Sequence, residues 1–212
     1  MKIAVGVHSE STIDAEVYFN HISAIGYWAQ KNDITFIGVS RVKVAAARKK
    51  ITEIAIEASC DYILFLDTDH LISANMLELL LENKDAAMVS ALVYRRLFPF
   101  TPIVFKLDKQ GLLQDALINP NTGVYNVDGC AMGCTLINLA LLQQLKKPYW
   151  EDKHFRSDLN LCTKFKEELN ARICVDTRIM VDHLGDRQRV NADSANQLRL
   201  DSMKGDLDAD SI

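Results

Sequence analysis

The chain opens on an apolar run at residues 2–7, KIAVGV, then turns polar at His8-Ser9-Glu10-Ser11-Thr12. This pattern predicts a first strand and the loop that ends it. Residues 14–30 carry Val17, Ile22, Ile25 and Trp28 near helical spacing, which predicts a helix. Residues 34–39, ITFIGV, predict a second strand. Ser40 is placed as N-cap of a helix over 42–58, because its hydroxyl can take up an orphan backbone N–H. Along that helix Val44, Arg48, Ile51 and Ala55 form one side, and Ala47, Ile51, Ile54 and Ala58 a neighbouring one. Residues 62–66, YILFL, are continuously apolar, the signature of a strand buried on both faces. They end at Asp67-Thr68-Asp69. Ser73 then caps a helix over 74–82, and residues 86–93 predict another buried strand. Such alternation of strand and helix argues for a mostly parallel sheet with helices on both faces.

The second half reads differently. Residues 102–107 and 123–127 predict strands, separated by a loop with Gly111 and Asn119-Pro120. Gly129, Gly133 and Cys134 lead into residues 135–138, followed by a helix over 139–145. Ser157, after Phe155-Arg156, caps a helix running to Leu169. Residues 173–175 and 179–181 predict two short strands that end near His183. From Asp186 the chain is polar, with acidic residues recurring after Leu200. One domain is therefore expected over 1–185, in halves 1–94 and 95–185, with 186–212 as an appended helix, tail or linker. There are no internal repeats.

Composition narrows the classes. Of 212 residues, 49% are hydrophobic and 25% charged, which places the chain among globular rather than disordered sequences. A net charge of −4 provides no basic field over the whole molecule, so neither nucleic acid nor a membrane surface is an expected partner. The N-terminus lacks the pattern of a signal peptide, and the apolar stretch at 86–93 is far short of the ~20 residues that span a bilayer. A soluble, cytoplasmic protein is the expectation. The five cysteines, Cys60, Cys130, Cys134, Cys162 and Cys174, include no C-x-x-C pair. They read as free, buried thiols, with Cys60 and Cys162 in helices and Cys174 in a strand. Cys130 and Cys134 with His183 fall short of the four close ligands that structural zinc usually takes.

Candidate chemistry concentrates at Asp67-Thr68-Asp69. Two residues apart on an extended segment, the carboxylates can face one side. They leave the carboxyl end of a buried strand, where open α/β sheets bind ligands. Hard oxygen ligands suit Mg²⁺ or Mn²⁺, and such an ion would neutralise a departing diphosphate. The same spacing recurs at Asp206/Asp208 and Asp208/Asp210, but no strand precedes those pairs and they read as solvated. By spacing alone, Asp158 stabilises a helix start, His183 is a polar strand end and Arg48 an exposed helix charge.

In order, these blocks resemble a known family. ARKKITEIAIEASCDYILFLDTDH, VDGCAMGCTLI and SDLNLCTKFKEELNARICVDTRIMVDHLG are similar to successive blocks of GT-A glycosyltransferases related to the inverting family 2, over about residues 2–185. They also resemble the small glycosyltransferase domains of large algal-virus glycosylation proteins. The resemblance implies the GT-A fold: a mostly parallel central sheet, flanking helices and a smaller antiparallel acceptor-side part. It implies Mn²⁺ or Mg²⁺ as cofactor, a nucleotide-sugar donor (UDP preferred), a glycan acceptor and, from its viral side, further domains in a longer protein. By the same resemblance Asp67 and Asp69 match an Asp-x-Asp motif and His183 a histidine that completes the metal site. Asp158 matches the catalytic base. His8, Ser9, Glu10, Ser40, Arg41, Arg48 and Thr68 match the nucleotide site, and Asp128 and Gly129 the segment beside donor sugar and acceptor. The sequence departs from the pattern at Ser157, where an acidic residue is usual, at Lys49, where Asn is usual, and at His8, where proline is common.

Two rivals share features of the sequence. Haloacid-dehalogenase-type phosphatases also place Asp-x-Asp after an apolar strand, but usually the first strand, whereas two strand–helix units precede it here. A nucleotide-sugar-binding module without turnover would fit Ser157. A dinucleotide oxidoreductase is disfavoured, since no G-x-G-x-x-G follows the first strand.

Overall fold

The structure, a computed structural model, describes residues 1–151, 157–185 and 189–209. Phe155, Arg156, Asp186 and Asp210 lie outside the described residues.

The first half folds as strand–helix units: β1 (Lys2–Ser9), α1 (Ala15–Trp28), β2 (Asp33–Ser40), α2 (Val44–Glu57) and β3 (Tyr62–Leu66). Then come β4 (His70–Ile72), α3 (Met76–Leu81) and β5 (Met88–Leu92). The second half adds β6 (Val104–Leu107), β7 (Leu113–Asp115), β8 (Val124–Val127), β9 (Gly129–Cys130) and β10 (Cys134–Asn138). It continues through α4 (Leu139–Leu142), α5 (Ser157–Leu169), β11 (Ile173–Leu184), β12 (Arg189–Val190) and α6 (Ala195–Ala209).

The main sheet runs β12-β11-β5-β10-β3-β1-β2, with β4 and β8 also on β11, and a second sheet runs β7-β6-β9. Strands β2, β1 and β3 are parallel, as are β5 and β11, while β10 lies antiparallel between β3 and β5. The YILFL run shows why the sheet is apolar on both faces. Ile63 and Phe65 enter one core with Ile51 of α2 and Phe165 of α5. Leu64 and Leu66 enter the other with Trp28 of α1 and Leu77 of α3. Strand side chains alternate, so a strand between two helix layers must be apolar at every position. Gly6 lets α2 approach β1, since a Cβ there would lie 2.5 Å from Ile51 Cγ2.

Several details differ from the sequence expectation. Ser40 is not a helix cap: it ends β2 opposite Ser9, and Lys43 precedes α2 without a side-chain cap. Sheet pairing claims Ser40 first, and Arg41 turns the chain at φ 61°. Ser73 caps nothing through its side chain; its carbonyl accepts from Met76 N–H at 3.1 Å, and Asn75 occupies the cap position of α3. The two short strands at 173–175 and 179–181 are one strand, β11, whose pairing shifts between Asp176 and Met180. Strands β4 and β7 have too few residues to show a period. Cys60 lies just past α2, outside the helix. All five thiols are free and buried. Within 186–212, β12 pairs with β11 and α6 is helical, with Val190 and Ala195 buried in the core. No helix among the described residues is long and apolar enough to cross a membrane.

Candidate active site

The carboxyl ends of β1, β2 and β3 lie side by side, so His8 and Ser9, Ser40, and Asp67 are neighbours from three strands. Because β10 is antiparallel, its start meets the end of β3. Cys134 pairs with Leu66, and Asp67 N–H donates to the Gly133 carbonyl at 2.8 Å. Gly133 has no room for a side chain. A Cβ there would lie 2.7 Å from Asp67 Oδ2 and 2.7 Å from His70 Nδ1.

Arg48 stands at the centre. Only 3% exposed, it is not the surface charge that its helix spacing suggests. Its Nη2 is 3.7 Å from Asp67 Oδ1, and its Nη1 is 3.8 Å from Asp158 Oδ1. Nη1 also donates to Ser157 Oγ at 3.2 Å. The guanidinium therefore joins the end of β3 to the first turn of α5. Trp150 supports it from below, with the guanidinium carbon 5.8 Å from its ring centre. Trp150 Nε1 donates to Thr52 Oγ1 at 2.8 Å, and Thr52 Oγ1 donates to the Arg48 carbonyl at 2.8 Å. His8 Nδ1 lies 3.7 Å from Asp67 Oδ1, and burial lowers the affinity of this imidazole for a proton despite that carboxylate.

A second group forms where β4 turns back along β11, pairing His70 with His183. One ligand atom each from Asp69, His70 and His183 lie within 4.8 Å of one another. His183 Nδ1 is 2.7 Å from the Tyr94 carbonyl, an acceptor, so this nitrogen carries the proton and donates it. In the neutral ring Nε2 then offers a lone pair, and it faces Asp69 Oδ2, another acceptor, at 3.2 Å. Two acceptors at that distance require a cation, either a proton or a metal ion. A backbone carbonyl that accepts the proton of one ring nitrogen in a hydrogen bond, and so aims the other, is the usual arrangement for a histidine at a metal site. Burial works against charge on Asp69, yet in acid, where the two imidazoles are protonated, the hydrogen bond from His183 and the charges at His70, His183 and Arg96 outweigh it and hold the carboxyl at about 2. Burial, reinforced by His183, holds His70 down at about 4, so near neutrality it is the uncharged, metal-binding form. Both His70 ring nitrogens and Asp67 Oδ1 are buried without a hydrogen-bond partner among the described residues. A neutral His70 has one ring nitrogen with a free lone pair, and unpartnered polar atoms beside a carboxylate, with mixed nitrogen and oxygen ligands, fit a divalent ion such as Mn²⁺.

Of the residues singled out in the sequence, the fold links Asp67 and Asp158 through Arg48, His8 to Asp67, and Asp69 with His183. Asp67 turns toward Arg48 and His8 and is not among the three grouped ligands. Thr68 is half-buried between the two aspartates, while Glu10, Ser40 and Arg41 are exposed on the rim. Asp128 lies apart, accepting from Leu107 N–H at 3.0 Å and paired with Lys166 at 3.3 Å. Gly129 packs against α5, with Leu159 Cδ2 3.0 Å from where its Cβ would be. His70, Gly133 and Arg96 were not foreseen in these roles. Arg96 Nη1 donates to Asp69 Oδ2 at 2.9 Å. Adjacency to the Asp-x-Asp segment was a signal for His70; Arg96, 27 residues away from Asp69, carried none.

No protein-family model matches the chain, and no curated protein does. Solved structures do. A197 from STIV superposes with a TM-score of 0.66 over 91% of this chain and 91% of its own, at 19% identity. GalNAc-T7, solved with UDP, GalNAc and Mn²⁺, gives a TM-score of 0.51 over 90% of this chain and 44% of its own, at 12% identity. The chain has the GT-A fold. On this GT-A frame the Asp69–His70–His183 group and the Arg48 network sit side by side at the carboxyl ends of the parallel strands.

Proposed function

We propose that the chain is a metal-dependent glycosyltransferase that moves a sugar from a nucleotide-diphosphate donor, UDP preferred, to a glycan hydroxyl with inversion. The observation that carries this reading is the pairing of a cation-demanding group with an arginine-linked aspartate at the carboxyl edge of a GT-A sheet. The solved neighbour that contains UDP, GalNAc and Mn²⁺ supports the choice of nucleotide and ion.

Asp69, His70 and His183 would hold the ion, Mn²⁺ or Mg²⁺, which would supply positive charge for a departing diphosphate. His8, Ser9 and Glu10 with Ser40 and Arg41 form the rim that receives the nucleotide, and Asp67 faces its ribose. Arg48 adds fixed positive charge near the diphosphate. It is preorganised by Trp150 and Thr52 and does not reorganise during reaction. Asp158, at the start of α5, accepts the proton of the acceptor hydroxyl as that oxygen attacks the anomeric carbon. The bond from that carbon to the diphosphate oxygen breaks from the opposite face. Asp128 and Gly129 border the donor sugar and acceptor.

The test is a calorimetric titration of UDP and GDP, with and without Mn²⁺. Binding of one nucleotide only with the ion is the expected result. No binding of either would overturn the proposal and turn attention to phosphate esters, the substrates of the phosphatase reading. A second reading, a binding module without turnover, is favoured by one contact: Arg48 Nη1 lies between Ser157 Oγ and Asp158 Oδ1 and so neutralises the intended base. Ion-dependent nucleotide binding with no transfer to any glycan would select it.

A further inference from the structure

Arg96 makes the shortest ionic contact of the site. Its Nη1 lies 2.9 Å from Asp69 Oδ2, the same oxygen that faces His183 Nε2 at 3.2 Å. The two partners of Arg96 and Asp69 are held differently. The Asp69 carbonyl accepts from Leu184 N–H at 2.7 Å, and His183 is clamped on Tyr94. Arg96 sits on a turn whose base is fixed by the Tyr94–Pro102 bridge and by Arg95 N–H to the Thr101 carbonyl at 2.9 Å. Its side chain is 50% exposed. The guanidinium is thus free to move while its backbone stays beside the site.

The neighbouring arginines are committed. Arg95 pairs with Asp115 at 2.7 Å and donates to Thr101 Oγ1 at 3.0 Å. Arg48 is buried between Asp67 and Asp158.

We propose that Arg96 exchanges partners at this site. It neutralises Asp69 when no divalent ion is bound, and pairs with the nucleotide diphosphate once an ion has taken Asp69 Oδ2. The inference rests on the reading of Asp69 as a metal ligand. A guanidinium and a divalent ion at one carboxylate oxygen repel, so an ion bound there weakens the Arg96–Asp69 pair. Displaced, the tethered arginine needs another anion, and a diphosphate offers the bidentate acceptor that a guanidinium fits. The ion alone must therefore compete with Arg96, while ion and nucleotide together satisfy it. The two ligands bind with positive coupling.

The test compares wild type with R96Q and R96K. Mn²⁺ affinity without nucleotide is read by electron paramagnetic resonance, and UDP affinity at saturating Mn²⁺ by calorimetry. R96Q is expected to bind Mn²⁺ alone about threefold to fivefold tighter, the worth of an exposed ion pair. It is expected to bind UDP roughly tenfold weaker, the loss of a charge-assisted hydrogen bond. R96K should fall between. These opposite shifts are not what a merely structural role would give, and the exposure of Arg96 leaves folding unaffected. Mn²⁺ affinity unchanged or weakened in R96Q, or UDP affinity unchanged, overturns the exchange. Asp69→Ala separates the two failures. If wild type binds UDP with Mn²⁺ and Asp69→Ala does not, a silent R96Q sinks the exchange alone. If wild type itself shows no ion-dependent binding, the reading of the site falls with it.

Discussion

Asp69 serves two neighbours through one oxygen, and its replacement tests the ion site most directly. Asp69→Ala removes the anionic ligand and leaves His70 and His183 facing each other, their ring centres 4.4 Å apart. Loss of all Mn²⁺-dependent UDP binding is expected by calorimetry, and unchanged affinity would remove Asp69 from the ion site. Asp158→Asn keeps the shape and the contact with Arg48 but takes away the proposed base. UDP should bind as before while glycan transfer falls about 100-fold or more, the usual worth of a general base. Full transfer in this variant would reassign the base. Gly133→Ala drives a methyl into the space shared by Asp67 Oδ2 and His70 Nδ1. Overpacking of this kind costs ~1–3 kcal/mol. A lowered Tm together with weakened Mn²⁺ binding is expected, and normal Mn²⁺ affinity would show that the His70 ring yields without cost. Gly133 was visible in the sequence only as one glycine before a strand. The need for glycine arises from a ring 63 positions earlier in the chain, counting back to His70.

Strand β4 illustrates how elements position the proposed ligands. It has three residues, too few to form alone, and it was not legible in the hydropathy pattern. Helix α1 holds this segment by side chains that reach its backbone. Asn20 Nδ2 donates to the Ile72 carbonyl at 3.0 Å, and Ile72 N–H donates to Asn20 Oδ1 at 2.9 Å. His21 Nε2 donates to the His70 carbonyl at 2.9 Å, and Trp28 Nε1 donates to the Ala74 carbonyl at 2.7 Å. These bonds keep β4 against β11, and so keep His70 opposite His183. Asn20→Ala strands a backbone N–H and a carbonyl, at a cost of ~1–3 kcal/mol. Both a lower Tm and weaker Mn²⁺ binding should follow. A variant that lost stability but kept full Mn²⁺ affinity would show that β11 alone positions His70. Helical spacing gives α2 as an element with Ile51 and Ala55 on its buried side, but it does not give the place of Arg48. Arg48 lies on that same buried face, where spacing alone reads a charge as an error or a surface group. Trp150, from a different part of the chain, makes the position tolerable.

For the molecule as a whole, the sheet carries both cores, and its order could not be read from local pattern. Strand β10 enters antiparallel between β3 and β5, which brings the glycine at its start to the end of β3. The C-terminal segment bears on the same core. Val190 is fully buried, Ala195 is 1% exposed, and Leu198 packs on the cluster. A chain ending at Gly185 exposes these contacts at a cost of ~3 kcal/mol. For a domain of this size that lowers Tm by roughly 10 °C, to be read by calorimetry. An unchanged Tm would make 186–212 a dispensable linker and place the domain end at 185.

The strands and helices of the first half, the doubly buried YILFL segment and the placement of Asp67 and Asp69 at its end follow from short-range periodicity. Such periodicity reflects which faces must be dry, and burial is a demand each element makes by itself. The likeness at 19% identity to a protein of the same architecture shows that this demand is met by many sequences. The Asp69–His70–His183 group is of another kind. His70 faces His183 only because β4 folds back on β11, and Arg48 becomes a bridge only because α5 begins beside β3. Those contacts join residues far apart in the chain through pairing partners and packing, and no local pattern encodes distances between elements.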